Sequence, residues 1–282
     1  MRLAIFQSAP VLRDLAGNAR RIAAAADDAR ADLLLTPELS LSGYDLGDDA
    51  ALLAGTVRAG APATFAPGLE GAPDVIVGVP ERGDDGVVYN AAVHVHDGRV
   101  LFRHRKRYLP TYGMFDEMRY FGRGTRIDAY DAGDGWRVGL LVCEDFWHPA
   151  LPYLLATRGI QLLLVQAAAP GRGVWEVPAG EDVFASMAVW ERIARSTAQL
   201  YGIYVALANR VGVEGAVTFA GGSIIVGPGG DVLARAPHGE EALIEAELST
   251  LELARSRRPY AHLRDEDGEW TLRELGRALG AS

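Results

Sequence analysis

The sequence predicts an α/β fold, and two patterns along the chain carry that prediction. Short apolar runs alternate with helical patterns over nearly all of the 282 residues, which is typical of α/β proteins. Two pairs of apolar runs are joined by tight glycine-bearing turns, HDGRV at 96–100 and GPGGDV at 227–232. Such turns predict β-hairpins and therefore antiparallel neighbours. We expect one mixed sheet, or two sheets packed face to face, covered by helices, rather than a purely parallel sheet.

The individual elements follow from the same patterns in chain order. Short apolar runs bounded by polar or glycine-rich segments predict strands at 3–7, 33–36, 75–79, 89–96, 100–106, 138–143, 161–166, 204–209, 222–226, 232–235 and 242–247. Longer amphipathic stretches predict helices at 15–30, 149–158 and 182–201. In the last of these, Met187, Trp190 and Ala194 have the spacing of one helix face.

The chain is predicted to form a single domain. No proline- or serine-rich linker, internal repeat or shift in composition marks a boundary within it. We therefore expect one domain over residues 1–282, in which 249–282 form a C-terminal tail with the charged stretch LRDEDGEW.

Charge and composition argue against several classes of partner. The formal net charge of -9 and the isoelectric point near 5.2 exclude a typical nucleic-acid-binding protein, which presents clustered basic surface. The basic cluster RHRKR at 103–107 is better explained as a solvated strand edge or as the surroundings of a site lysine.

The sequence also predicts a location in the cytoplasm and no contact with a membrane. A single cysteine cannot form an internal disulfide, and the apolar run in MRLAIFQSAP is too short for a signal peptide. No apolar run approaches the roughly 20 residues that are needed to cross a bilayer.

Three segments place a chemically active side chain at the end of a predicted strand. Glu38 follows the strand in LLLTPELSLSGY, Lys106 closes the strand in RHRKRYLPTYG, and Cys143 closes the strand in WRVGLLVCEDFWHP. Functional residues often lie at strand ends, because the sheet holds them in place. Each residue also has an ordinary explanation when it is taken alone. Cys143 could be a buried apolar group, Lys106 a charge on a strand edge, and Glu38 an acceptor of backbone hydrogen bonds.

Together the three side chains suit acyl transfer through a thioester. A catalytic thiol needs a base to remove its proton and donors to hold the oxyanion that its attack creates. Glu38 could take the proton of Cys143 and pass it to a leaving amine. Lys106 would stabilise the thiolate and the oxyanion, with help from the backbone N–H of Glu144 if the chain turns after the nucleophile.

These segments resemble the three catalytic motifs of the nitrilase superfamily, the carbon–nitrogen hydrolases with a Glu-Lys-Cys triad. The resemblance runs from LAIFQSAP through all three motifs to ANRVG and FAGGSIIVGPGGDVLARA. Within the superfamily, KRYLPTYGMFDEMRYFGRG and VCEDFWHP most resemble the glutaminase domain of glutamine-dependent NAD synthetases. The resemblance implies a four-layer α-β-β-α sandwich of two mixed sheets covered by helices, which commonly pairs into a homodimer. It implies that Cys143 is the nucleophile, Glu38 the general base and acid, and Lys106 the cation that stabilises the oxyanion.

The resemblance also implies a substrate pocket and no cofactor. Glu117, in FDEMRYF, matches a second glutamate that lines the pocket near the lysine and helps to position the substrate. Tyr112 and Phe115 match substrate-pocket positions of the glutaminase-like branch, and we count Glu144, beside the nucleophile, with them.

No metal site is predicted. His94 and His96 alternate along a predicted strand, but no third ligand with suitable spacing accompanies them. His148 lies close to Cys143 in the sequence, yet the glutamate base accounts for the chemistry without it.

The predicted function is hydrolysis of a small, non-peptide amide at its C–N bond, which releases ammonia and a carboxylic acid. Where related glutaminase domains have a serine-containing loop, this chain reads VQAAAPGRG at 165–173, and we find no glycine-rich loop of a synthetase half. Three alternatives stay open. They are an N-carbamoyl amino acid or amine hydrolase, a glutaminase-type subunit that supplies ammonia to a synthetase, and a non-catalytic partner protein that uses the sandwich as an interaction surface.

Overall fold

The computed structural model describes residues 1–66, 69, 74–172, 184–259 and 262–280. Its strands are β1 (Arg2–Gln7), β2 (Leu33–Leu35), β3 (Gly55–Thr56), β4 (Asp74–Arg82), β5 (Val88–His96), β6 (Arg99–Arg105), β7 (Ala129–Asp131), β8 (Arg137–Val142), β9 (Leu162–Ala167), β10 (Tyr204–Asn209), β11 (Val211–Glu214), β12 (Val217–Ala220), β13 (Ile224–Val226), β14 (Val232–Arg235) and β15 (Ala242–Glu247). Its helices are α1 (Leu15–Ala29), α2 (Asp49–Leu53), α3 (Glu117–Tyr120), α4 (Ala150–Thr157), α5 (Ala185–Tyr201), α6 (Thr250–Arg257) and α7 (Gly268–Ala278), and a 3-10 turn covers Cys143–Trp147.

Two mixed sheets form the centre of the molecule. The first has the strand order β15-β1-β2-β4-β5-β6, with β3 paired to β4. In it β1, β2 and β4 run parallel, and β5, β6 and β15 join antiparallel. The second has the order β14-β13-β10-β9-β8-β7, with parallel strands β8, β9 and β10 at its centre and antiparallel strands towards its edges. Strands β11 and β12 pair as a separate hairpin.

The two sheets stack face to face, and helices cover both outer faces. Leu3 and Ile5 of β1 share one buried cluster with the apolar residues of β8, β9 and β10, whereas Ala4 belongs to the cluster that contains α1. Both faces of β1 are buried, and the strand therefore appears in the sequence as a continuous apolar run. Helices α4 and α5 cover the second sheet in the same way. The layer order is α-β-β-α, which confirms the four-layer sandwich.

Local signals end the two long helices and return the chain to the sheets. Helix α1 begins where the Asp14 carboxylate accepts the Gly17 N–H at 2.9 Å, and it ends at Arg30 with a left-handed φ of 48°. Helix α5 ends at Gly202, also left-handed with φ of 57°, a conformation that glycine adopts without strain. After each helix the chain enters a parallel strand, β2 after α1 and β10 after α5. The parallel strands of each sheet therefore have their carboxyl ends on the same side of that sheet.

Most of the predicted elements are present. Both hairpins form, β5 with β6 and β13 with β14. The prediction missed β3, β7, β11, β12, α2 and α3, which have two to five residues each and are too short to show a period. The segment 249–282, predicted as a tail, contains α6 and α7.

Two further predictions concern the ends and the length of helices. Asp182, the predicted start of the last long helix, lies outside the described residues, and α5 begins at Ala185. Among the residues that the structure describes, no helix has the length and apolar content to span a membrane.

Candidate active site

Glu38, Lys106 and Cys143 lie together at one end of the sandwich. Glu38 is in the loop after β2, Lys106 is the next residue after β6, and Cys143 is the next residue after β8. The N–H of Glu38 donates to the carbonyl of Ala167 in β9 at 3.4 Å, so the loop from the first sheet reaches the second. The site is therefore built across both sheets.

Lys106 bridges two carboxylates in a fully buried position. Its Nζ lies 2.7 Å from Glu38 Oε1 and 2.7 Å from Glu117 Oε1, and the side chains of Lys106 and Glu38 are 0% exposed. Burial lowers the pKa of the Lys106 ammonium, but the negative charges of Glu117 and Glu38 outweigh burial and hold the pKa well above its usual value. Lys106 therefore carries a positive charge inside the protein.

The carboxylate of Glu38 accepts hydrogen bonds from three directions. In addition to Lys106, Asn90 Nδ2 donates to Oε1 at 2.7 Å, and the backbone N–H of Ala168 donates to Oε2 at 2.9 Å. Asn90 belongs to β5 and Ala168 follows β9. Donors from both sheets thus fix the orientation of this carboxylate.

Glu117 is a second buried carboxylate, and one of its oxygens is free. Its Oε1 accepts from Lys106 at 2.7 Å and from the Tyr44 hydroxyl at 2.5 Å, whereas its buried Oε2 has no partner among the described residues. Burial raises the pKa of Glu117 to about 7 against the opposing charge of Lys106, and the charge of Glu38 adds to the rise. A buried acceptor without a partner is costly, so Oε2 is a natural place for a donor of the substrate.

Cys143 occupies a strained position at the start of the 3-10 turn. Its φ is 47°, a left-handed conformation that costs a non-glycine residue about 1 to 3 kcal/mol. Burial raises the pKa of the Cys143 thiol well above its usual value, the charge of Glu38 raises it further, and the charge of Lys106 lowers it. The thiol is therefore protonated at rest and needs a base for attack.

Aromatic and acidic side chains form a connected group near these residues. The Tyr112 hydroxyl donates to Glu144 Oε2 at 2.9 Å, and burial followed by this hydrogen bond raises the pKa of Tyr112 to about 12. The ring of Phe115 lies between those of Tyr112 and Tyr44, with edge-to-face contacts at 5.9 Å and 6.3 Å between centroids. A chain of contacts thus links Glu144 through Tyr112, Phe115 and Tyr44 to Glu117, which is the one of the four predicted pocket residues that contacts Lys106.

The sequence of this chain matches that of a known protein family. Residues 2–258 match the family model described as carbon-nitrogen hydrolase. This chain belongs to the carbon-nitrogen hydrolase family.

Individual relatives of this carbon-nitrogen hydrolase differ in the share of their own length that this chain covers. The glutamine-dependent NAD(+) synthetase of Thermotoga maritima is 32% identical over 263 residues, and the match covers 88% of this chain and 42% of the synthetase. This chain therefore spans less than half the length of that relative. A protein of Pseudomonas protegens named hydrolase in pqqF 5'region is 32% identical over 273 residues, with 95% of this chain and 90% of that protein covered.

A solved structure confirms the family at the level of the fold. The crystal structure of an amidase from Nesterenkonia sp. has a TM-score of 0.76 and 28% sequence identity, and it covers 97% of this chain and 95% of its own. The resemblance of the sequence to the nitrilase superfamily and to the NAD synthetases is thus confirmed.

Three residues of this carbon-nitrogen hydrolase site were missed by sequence reasoning. They are Tyr44, which donates to Glu117, Asn90, which donates to Glu38, and the buried Asp145. Asp145 had a signal, because it is the second acid after the cysteine in VCEDFWHP. Tyr44 and Asn90 had none, because their partners lie on other elements.

The histidines considered as possible metal ligands or as a base have contacts outside the candidate site. His94 and His96 both contact Asp74, at 3.1 Å and 2.5 Å, and the part of the chain that is described holds no cluster of three or more side chains suited to a metal ion. His148 stacks on Tyr108 with ring centroids 3.3 Å apart.

Proposed function

We propose that the chain is an amidase that hydrolyses a small, non-peptide amide through a covalent thioester at Cys143. The observation that carries the proposal is the buried cation of Lys106, held at 2.7 Å from both Glu38 and Glu117 beside a buried, protonated thiol. An ion pair with a purely structural role would not require a thiol so close that the charges of Lys106 and Glu38 change its pKa. Amidases among the relatives in the family support the same reaction type.

The first half of the reaction forms the thioester. Glu38 removes the thiol proton while Sγ of Cys143 attacks the carbonyl carbon of the amide. Lys106 and the backbone N–H of Glu144 stabilise the resulting oxyanion. Glu38 then gives the proton to the amide nitrogen, the C–N bond breaks, and ammonia leaves.

The second half releases the acid. Glu38 removes a proton from a water molecule that attacks the thioester carbon, and the tetrahedral oxyanion forms again in the same place. Its collapse breaks the C–S bond, returns the proton to Sγ of Cys143 and releases the carboxylic acid. The enzyme is regenerated without a cofactor.

The pocket residues set the substrate in place. The free Oε2 of Glu117 accepts an N–H of the amide, which turns the carbonyl carbon towards Cys143. Phe115 provides an apolar wall, and the Tyr112 and Glu144 pair, of which Tyr112 is 56% exposed, meets the outer end of the acyl group. These side chains allow a short acyl group with a polar end.

Ammonia release from a panel of amides tests this function. The panel contains simple aliphatic amides, glutamine, asparagine, 2-oxo acid amides and N-carbamoyl amino acids. We expect Cys143→Ala to stop turnover with the fold retained, and Glu38→Gln and Lys106→Ala to lower kcat by about 10²- to 10⁴-fold, as loss of a general base or an oxyanion cation does. Lys106→Arg keeps the charge but not the size, and should also be impaired. Substantial turnover by Cys143→Ala would contradict the proposal.

A second candidate is a glutaminase-type chain that supplies ammonia to a synthetase. It is favoured by the match to glutamine-dependent NAD(+) synthetases, which cover 88% of this chain. Activity on glutamine alone within the panel would support it. Carbon dioxide released together with ammonia would instead identify an N-carbamoyl hydrolase. The expected homodimer stays a prediction that size-exclusion chromatography with light scattering can check.

A further inference from the structure

Asp145 is a buried acid with four hydrogen-bond donors, none of which belongs to the substrate pocket. Its Oδ1 accepts the backbone N–H of Arg107 at 2.9 Å and that of Tyr108 at 2.8 Å. Its Oδ2 accepts His104 Nε2 at 2.8 Å and the backbone N–H of Val142 at 3.3 Å. Every lone-pair direction of the carboxylate is therefore in use.

These donors lie beside two candidate catalytic residues, Lys106 and Cys143, which follow strands of different sheets. His104 and Arg107 stand on either side of Lys106, at the end of β6 in the first sheet. Val142 precedes Cys143 at the end of β8 in the second sheet. One carboxylate thus joins the segment that carries the cation to the segment that carries the thiol.

The contact between Asp145 and His104 is shielded from water. The side chains of Asp145 and His104 are 0% and 3% exposed, so water does not compete for their hydrogen bond. Both oxygens of Asp145 already accept backbone N–H groups, so the carboxylate is the acceptor and Nε2 of His104 the donor.

The site needs such a contact, because apolar packing does not set directions. Buried apolar side chains hold the two sheets together with a non-directional attraction, and the hydrogen bond from Gln166 to the Thr36 carbonyl, which also joins the sheets, does not involve the segments of Lys106 and Cys143. Cys143 also has an unfavourable φ of 47°, which persists only if the surrounding bonds determine it. Attack by the thiol depends on its position relative to Lys106 within a fraction of an ångström.

We propose that Asp145, oriented by His104, is a positioning residue that sets the placement of Cys143 relative to Lys106 across the two sheets. Its role is to make the chemical step fast and not to bind substrate. The part of the inference that concerns kcat rests on the proposed amidase function. The part that concerns the reactivity of the thiol does not.

Asp145→Asn is the main test. The amide oxygen can still accept from Arg107 and Tyr108, but the amide nitrogen then faces the N–H of Val142, donor against donor. His104 can pair with that nitrogen only by moving its own proton to Nδ1. Because Cys143 is the only cysteine, iodoacetamide alkylation followed by mass spectrometry reports on it alone. We expect alkylation to slow by about 10-fold or more and kcat to fall by about 10²-fold with little change in KM, as small misplacements do.

The pH profile of alkylation separates positioning from general damage. Burial raises the pKa of the Cys143 thiol, and the charges of Glu38 and Lys106 then act on it in opposite directions, Glu38 raising it and Lys106 lowering it. A thiol displaced from this pair should therefore show a changed pH profile of alkylation. We therefore expect the profile of Asp145→Asn to shift along the pH axis while alkylation stays slower than in the wild type, whereas partial unfolding would expose the thiol and make alkylation faster.

Asp74→Asn is the matched control. Asp74 also accepts from a buried histidine, His94, at 3.1 Å between Oδ2 and Nε2, but it lies at the opposite end of the sheet from Asn90 and Glu38. This variant should keep the alkylation rate and kcat of the wild type, even if it is less stable.

Two variants of His104 decide the question if Asp145→Asn does not fold. His104→Gln can place an N–H near the position of Nε2 and should retain most of the alkylation rate, whereas His104→Phe cannot donate and should react more slowly. Wild-type alkylation in folded Asp145→Asn or His104→Phe, or equal slowing in Asp74→Asn, would overturn the inference. If the wild type hydrolyses no amide, the proposed function fails while the alkylation series still decides the positioning role. If the wild type is active and alkylation is unchanged in folded Asp145→Asn, only the positioning role fails.

Discussion

Among single residues, Lys106 is distinguished by being the only lysine among 28 basic residues. The chain uses arginine even for another buried cation, Arg210, which pairs with Glu214. Lysine at 106 is therefore not explained by a general need for positive charge. An ammonium is a compact point charge that can donate to two carboxylates at 2.7 Å each, whereas a planar guanidinium needs a wider site. Lysine thus suits a narrow, buried site in which two carboxylates lie close to one cation.

The raised pKa of Glu117 leads to a prediction about stability. In the folded protein burial outweighs the charge of Lys106 and raises this pKa from 4.5 to about 7. Between these values the folded protein keeps a proton that the unfolded chain releases, so the free energy of unfolding falls as pH rises through this window. In Glu117→Gln this decline should be smaller by about 1 to 3 kcal/mol, since one pKa unit corresponds to about 1.4 kcal/mol.

Urea unfolding at several pH values between 4.5 and about 7 measures this difference. Glu269→Gln, which changes an exposed carboxylate on α7, is the control and should follow the wild-type curve. Parallel curves for the wild type and Glu117→Gln would show that Glu117 is not the group that titrates.

Among the elements, the loop that carries Glu38 depends on a glycine in β4. A β-carbon on Gly78 would lie 2.2 Å from the backbone nitrogen of Leu39 and 2.9 Å from the carbonyl oxygen of Pro37. The loop also bonds to the same residue, because Gly78 N–H donates to Ser40 Oγ at 3.0 Å. The missing side chain of Gly78 therefore allows Glu38 to lie directly above the sheet.

Gly78→Ala should displace the Glu38 loop and leave the sheet in place. We expect a loss of about 1 to 3 kcal/mol in the free energy of unfolding, as overpacking typically causes, and a fall in kcat of about 10²-fold. Gly227→Ala is the control, because its β-carbon would meet Leu233 at an ordinary 3.4 Å. Wild-type kcat in Gly78→Ala would mean that the loop can move without affecting the reaction.

In the molecule as a whole, buried glutamines tie the two sheets together with directional bonds. Gln7 of β1 donates through Nε2 to the carbonyls of Pro237 and Glu240, both at 2.7 Å. Its Oε1 accepts from the backbone and the hydroxyl of Ser223, at 2.9 Å and 2.8 Å, beside β13 of the other sheet. Gln166 of β9 likewise donates to the carbonyl of Thr36 at 2.7 Å. These bonds complement the apolar contact between the sheets.

Gln7→Leu should therefore weaken the whole sandwich without altering the site. The change leaves several buried polar groups without partners, each worth about 1 to 3 kcal/mol, so we expect a loss of about 2 to 4 kcal/mol in the free energy of unfolding. The kcat of the folded protein should stay at the wild-type value. Urea unfolding together with kcat measures both, and Gln199→Leu, at an exposed glutamine of α5, is the control. A loss of kcat without a loss of stability would contradict this assignment.

Local sequence patterns were enough to predict the fold class and to place Glu38, Lys106 and Cys143 at the ends of strands. Apolar runs and glycine-bearing turns are local patterns, so the strands around Glu38, Lys106 and Cys143 could be predicted within a few residues. The motifs around these residues are also local, and they were sufficient to indicate the family.

The groups that surround those side chains depend on contacts between segments far apart in the chain. Glu38 accepts from Ala168, which is 130 residues away in the chain, and Asp145 accepts from His104, 41 residues away. Such contacts depend on which strands become neighbours, on their register and on the stacking of the two sheets, and none of these is encoded in a local pattern. The sequence therefore indicated the candidate catalytic residues, and the packing of the two sheets determines how they are held.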